Sequence, residues 1–247
     1  MNLQTQEAVT TSIPVIRPFE EAFASEWDQF VLEHADGTLF HTIAWKRTIE
    51  RAFGFSSRYL VALRGNTVCG ILPLFLVSNW VLGSTLISTP FAVYGGLVAN
   101  DDSARQALCD TARQMAVDES VEYLEMRELH GSLGGDFQTK QLYVTFEGEL
   151  PRDPLRLLQQ LPKDTRYMVR KGQKNGLRAV RDNGQLDAFY HVYAHSVRHL
   201  GTPVFAKRFF EILLEEFKEA VEITMIWHGR TAVAGVFSFR FRDRLLP

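Results

Sequence analysis

Apolar residues recur at two spacings along the chain, and the switches between them mark out its elements. Residues 13–16 read as a short strand. Phe19, Phe23, Trp27, Phe30 and Val31 then recur at helical spacing with acidic residues between them. A second helix is predicted over 42–53, its apolar stripe formed by Trp45, Ile49, Ala52 and Phe53, with Gly54 as the stop. Two β-rich runs, 58–64 and 67–75, flank Gly65-Asn66 and predict a hairpin. Residues 83–90 read as a strand, 91–99 as a glycine-containing loop, 101–117 as a helix with an acidic start, and 121–127 and 141–146 as strands. This order predicts a mixed sheet covered by helices, an α/β (α+β) architecture.

The same rhythm returns further along. After a composition shift at 151–154, residues 155–176 read as a basic helix, 177–180 as a strand, and 185–200 and 205–218 as helices separated by Gly201-Thr-Pro203. Residues 221–227 and 231–241 form a second hairpin around Gly229-Arg230. Both halves give strand, helix, helix, hairpin. Arg64-Gly-Asn-Thr-Val-Cys-Gly70 resembles His228-Gly-Arg-Thr-Ala-Val-Ala-Gly235 with one residue inserted. The expected organisation is a first unit over 1–150, a basic helical connector over 151–176 and a second unit over 177–247. On this alignment the second copy stops near the counterpart of Leu82, so it is expected to be truncated. Completing its sheet would take about 70–100 further residues to cover the apolar surface left open.

Charge adds a local feature. The net charge is −2, which gives no general attraction to nucleic acid, and no DNA partner is expected. Residues 151–184 nevertheless carry nine cations against Asp153, Asp164 and Asp182, a local excess of +6. On a helix Lys163, Arg166, Arg170 and Lys174 fall within about 80° of one another. Like charges four residues apart cost a few tenths of a kcal/mol per pair. Either an anionic partner, such as an RNA backbone or a nucleotide-sugar pyrophosphate, offsets that cost, or the face is simply solvated.

The remaining chemistry is sparse. Cys69 and Cys109 sit in apolar contexts without metal or redox spacing. His195 and His199 are four apart on one helix but lack a third ligand, so no metal is expected. The polar start at 1–11 shows no signal peptide, and no apolar run approaches the roughly 20 residues of a membrane span. A cytoplasmic location is the expectation. There is no P-loop and no Ser/His/Asp pattern. Phe209, Phe210, Leu213, Leu214 and Phe217 read as core.

Several segments together resemble the FemAB family of aminoacyl and peptidyl transferases, built as tandem GNAT-like acyltransferase domains. They are Phe40-His-Thr-Ile-Ala-Trp45, Tyr94-Gly-Gly-Leu97, the basic run 161–177 with its Lys-Asn-Gly ending, Arg198-His-Leu-Gly-Thr-Pro-Val-Phe205 and Ala232-Val-Ala-Gly235. The Arg198 segment looks like the branch associated with exosortase and PEP-CTERM surface systems. The resemblance implies transfer of an acyl or aminoacyl group to an amine of a cell-envelope or exopolysaccharide precursor. The co-substrate would be aminoacyl-tRNA or acyl-CoA, with no tightly bound cofactor, and the acceptor a nucleotide-linked sugar or peptide. Tyr94, Gly95 and His41 are the expected catalytic-site residues: Tyr94 positions substrate, Gly95 lies near the reacting carbonyl, and His41 is, with His195 and His199, a candidate acid/base group by residue type. Lys163, Arg166, Arg170, Lys174 and Arg198 would hold anionic groups. The interval 92–102 lacks the basic residue that accompanies coenzyme A in GNAT loops, which argues against CoA in the first copy. The competing reading is a non-catalytic RNA- or nucleotide-sugar-binding module, a degenerate transferase.

Overall fold

The computed structural model describes residues 12–79, 83–130, 133, 135, 137–140 and 144–247. The start 1–11, position 82 and residues 141–143, on which expectations were placed, lie outside them. The chain divides into two compact units, Met1–Leu133 and Gly134–Pro247. The sequence boundaries at 150 and 176 both stand inside the second.

In the first unit β1 (Val15–Pro18) leads to α1 (Ala24–Glu33) and α2 (Ile43–Phe53). Trp27, Phe30 and Val31 of α1 and Ile43, Trp45 and Ile49 of α2 are buried, as their spacing requires. Thr42 caps α2 by accepting from the Trp45 N–H, and Gly54 closes it with φ 69°. Then follow β2 (Ser56–Ser57), β3 (Leu60–Arg64), β4 (Thr67–Leu72), β5 (Phe75–Asn79), β6 (Gly83–Ser88) and β7 (Val98–Ala99). Helix α3 (Asp102–Asp118) is capped by Asp101, which also pairs with Arg64 at 2.7 Å, and β8 (Tyr123–Met126) follows.

One mixed sheet was expected here; two four-stranded sheets are found. The first has order β1-β3-β4-β7 with antiparallel pairs, the second β2-β5-β6-β8 with only β6 and β8 parallel. Pro73 accounts for the division. It has no N–H to continue the ladder of β4, so the run 67–75 ends at Leu72 and β5 starts in the other sheet. Between β6 and β7 the chain returns to the first sheet, through residues 89–97.

In the second unit the basic stretch forms two helices, α4 (Pro154–Gln160) and α5 (Lys163–Lys174), instead of one. Leu161 precedes Pro162 and is extended, because proline crowds the helical conformation of its predecessor. Then come β9 (Leu177–Arg181), α6 (Leu186–His199), α7 (Lys207–Phe217), β10 (Val221–His228), β11 (Thr231–Phe241) and β12 (Arg244–Leu246). Their sheet is antiparallel in the order β12-β11-β10-β9. Phe209, Phe210, Leu213 and Phe217 of α7 are buried. The strand expected over 141–146 is absent from its described part: Val144 and Phe146 are exposed and lie in no strand.

The two hairpins share more than their order. Each turns on two residues, the first a glycine with positive φ, 63° at Gly65 and 57° at Gly229. Each carries one bulge, leaving Cys69 extra in β4 and Val233 extra in β11. Turn and bulge are therefore both offset by 164 positions, with no insertion. Gly70 corresponds by register to Ala234, which corrects its expected match to Gly235. The two glycines answer to different neighbours. A Cβ on Gly70 would meet Leu108 of α3 at 3.0 Å, and one on Gly235 would meet the Met225 Sδ at 2.6 Å and Phe189 at 3.1 Å.

Candidate active site

The return of the chain from one sheet to the other builds a small pocket of about 40 Å³ in the first unit. Its walls include His41, the segment 94–98, Arg105 and Glu128. Arg127, just past β8, fixes the crossing loop. Its guanidinium donates to the carbonyls of Ala92 at 2.7 Å and Thr89 at 3.3 Å, and its own carbonyl accepts from the Gly95 N–H at 3.1 Å.

Tyr94, Gly95 and His41 thus share one pocket. Their roles differ from those their residue types suggest. The Gly95 N–H is committed to Arg127. Neither Gly95 nor Gly96 has positive φ; both are glycines for want of space. A Cβ on Gly95 would lie 2.6 Å from Thr89 Oγ1, and one on Gly96 would overlap Glu128 Oε1 and approach the Arg127 carbonyl to 2.9 Å. The close approach is to the protein's own second sheet. Of the three consecutive amides, Gly95 donates to Arg127 and Leu97 to Glu128 at 2.8 Å. The Gly96 N–H between them has no acceptor among the described residues.

His41 is 2% exposed. Its Nδ1 accepts from the Thr38 N–H at 3.1 Å, so the neutral ring carries its proton on Nε2 and donates to the Gly96 carbonyl at 3.0 Å. Burial is the main cause holding its pKa down at about 4. Both nitrogens are engaged within the fold, so the ring holds the loop; it has no free lone pair with which to accept a substrate proton.

Glu128 was not singled out by the sequence. It stands two residues past the end of β8, and a carboxylate at a strand end is too common a pattern to mark it. Burial pushes its carboxyl up, and Asp36 adds to this; the Leu97 N–H and Arg105 pull the other way. Its Oε1 holds Leu97, and a carboxylate retains further lone pairs for a second donor. A half-buried carboxylate with a raised pKa and a backbone N–H with no acceptor among the described residues thus belong to residues lining one pocket, the two group types that proton transfer and carbonyl polarisation need.

The expected anion-binding cations lie in the second unit. Lys163, Arg170 and Lys174 are exposed on α5, and Arg166, half-buried, donates to the Gln159 carbonyl at 3.0 Å. No residue of α5 is buried. Arg198 lies in the last turn of α6. Among the described residues no cluster is fit to hold a metal, and no helix is long and apolar enough to cross a membrane.

Residues 160–247 match the family model described as an acetyltransferase (GNAT) domain. The structure is similar to the crystal structure of FemX, with a TM-score of 0.55 over 86% of this chain at 18% identity. The fold is GNAT-like. This GNAT-like chain spans 57% of the FemX chain. A transcriptional regulator from Bacillus halodurans C-125 overlaps 54% of the chain and 99% of its own at 13% identity, but its TM-score of 0.36 is too low to bear on the fold. No curated protein matches the sequence.

Proposed function

We propose that the protein transfers an acyl or aminoacyl group to an amine, using the pocket between Gly96 and Glu128. The observation that carries this is a raised-pKa carboxylate lining the same pocket as a backbone N–H that has no acceptor among the described residues, in a GNAT-like fold. Acyl transfer needs a base for the attacking amine and a donor for the oxyanion. Glu128 takes the amine proton as the N–C bond forms, and that proton passes to the ribose hydroxyl or thiol that departs as the ester C–O or thioester C–S bond breaks. The Gly96 N–H polarises the carbonyl, a role that passes to it from Gly95. His41 positions the loop. A volume of about 40 Å³ admits little more than the reacting atoms, so both substrates extend out of the pocket.

The donor in this reading is aminoacyl-tRNA or an acyl thioester. The acceptor is an amine on a nucleotide-linked precursor of cell envelope or exopolysaccharide, in the cytoplasm. Lys163, Arg166, Arg170, Lys174 and Arg198, all in the second unit, are the cations this reading assigns to anionic groups. The exposure of every α5 cation except Arg166 suits such a role. The absence of a basic residue from 92–102 favours aminoacyl-tRNA over acyl-CoA.

The test is mass-spectrometric detection of acyl transfer with each donor across amine-bearing envelope precursors. Turnover is expected, and it should fall by about 10²–10⁴-fold in Glu128→Gln. If no donor and acceptor pair turns over, or if Glu128→Gln is fully active, the reading fails and a purely binding role takes its place.

A further inference from the structure

The first unit holds a second cavity, of about 300 Å³, that shares no lining residue with the first. It lies where the end of β1, α2, the β2–β3 segment and α3 meet. Phe19, Tyr59 and Met115 supply apolar wall, and Lys46, Arg58 and Glu21 supply charge. This volume reaches the lower end of small-molecule sites, and apolar walls with a few polar groups are their usual lining.

The polar groups favour one sign of ligand. Lys46 has a side chain only 12% exposed, and its ammonium stands 5.3 Å from the Phe19 ring centre and 5.9 Å from that of Tyr59. Two of its three N–H groups go to the Glu50 carboxylate, at 2.8 and 3.0 Å. Arg58 gives Nε to Glu119 and Nη1 to the Ser57 carbonyl at 3.2 Å. Its Nη2 has no acceptor among the described residues. Among the described lining residues the one carboxylate, Glu21, is turned to Arg47. Two cations that keep a donor without an acceptor among the described residues therefore line a space walled by two aromatic rings and a thioether. The Phe19 N–H donates to the Tyr59 carbonyl at 2.8 Å, and Tyr59 stacks on Trp27 at 5.1 Å, so the aromatic wall is built into the core and preformed.

We infer that this cavity binds a small carboxylate with an apolar or aromatic body, the carboxylate on Arg58 and Lys46 and the body against Phe19, Tyr59 and Met115. It is a site separate from that of the proposed transfer, and its occupancy does not depend on that chemistry.

Titration of 3-phenylpropanoate into the isotope-labelled protein, followed by NMR, tests this. Saturable shifts confined to the residues around Phe19, Lys46, Arg58, Tyr59 and Met115 are expected, with a Kd of about 1 mM or tighter. 3-Phenylpropylamine and 3-phenylpropanol should bind at least about tenfold more weakly. Arg58→Gln should lose binding by a similar factor. That change also breaks the pair with Glu119, so Met115→Trp, which fills the space and leaves every charge in place, serves as the second variant and should abolish the shifts. Absence of saturable shifts, equal binding of the amine, or binding retained in Met115→Trp would overturn the proposal.

Discussion

His41 and Glu128 hold opposite ends of one peptide group. The imidazole donates to the Gly96 carbonyl at 3.0 Å, and the carboxylate accepts from the Leu97 N–H at 2.8 Å. One grip comes from the turn ahead of α2 and the other from beyond β8. The neighbouring Gly96 N–H is thereby held in a fixed direction, which is what a preorganised donor requires.

The imidazole end of this grip is sensitive to acid. The folded pKa of His41, about 4, lies below the 6.5 of a free side chain, so the unfolded chain takes up the proton first as pH falls. Its contribution is complete above pH 6.5 and is lost between there and about pH 4, in total about 3 kcal/mol. Urea unfolding at pH 7.5 and pH 4 should show this loss in the wild type and much less of it in His41→Gln. An unchanged difference in the variant would remove His41 as the cause.

In the proposed transfer the carboxylate end would set the rate-versus-pH profile. Glu128 must be ionised to accept the amine proton, and burial raises its pKa, so activity should rise with pH through a midpoint above the ~4.3 of a free glutamate. A profile of kcat/KM against pH measures it. A limb at or below the free value would show that another group acts as base.

Gly96 is confined by the residue it serves. Gly96→Ala should destabilise the first unit by about 1–3 kcal/mol, since the methyl overlaps Glu128. In a Glu128→Ala background the same change should cost less, with a coupling of about 0.5–3 kcal/mol, although the Arg127 carbonyl still crowds the position. Simple additivity in thermal melts would mean that the crowding is relieved some other way.

The α5 cations lie on the surface, and reversing them separates binding from folding. Replacing Arg170 and Lys174 with Glu should shift stability by no more than about 0.5 kcal/mol per site. Affinity for an RNA or a nucleotide-linked precursor should fall, and the slope of log affinity against log salt should flatten. Binding that survives the reversal at every salt concentration would take the anionic partner away from α5.

Gly235 tests the register of the second hairpin. Gly235→Ala drives a methyl onto Met225 and Phe189 and should cost about 1–3 kcal/mol, whereas Ala234→Gly, at an exposed position, should cost well under that. Equal effects in calorimetry would argue against the register.

Much of this was legible in the sequence, and the reason differs from part to part. Trp27, Phe30 and Val31, or Trp45 and Ile49, announce helices because their spacing matches the period of a helix whose neighbours lie along the chain. Gly65-Asn66 and Gly229-Arg230 announce hairpins because a tight turn constrains its own residues. Loop 91–99 was visible by its glycines, and its pocket residues Tyr94 and Gly95 with it. The division into two sheets was not visible, since Pro73 shows where a ladder stops but not where the next strand goes. Glu128 was hidden for a related reason: its burial and its contact with Leu97 arise from a partner 31 positions away. The mismatch of Gly70 with Gly235 came from matching residue type, where the bulge fixes position.

The crossing of residues 89–97 ties the pocket to the angle between two sheets. β6 is anchored in one, β7 in the other, and the pocket-lining segment is strung across the gap. A substitution deep in either sheet that alters how they splay, such as one at Leu86 or Ile71, both fully buried, reaches the pocket without touching it. In this fold turnover would act as a strain gauge for the core, failing at temperatures where each sheet, taken alone, is still intact.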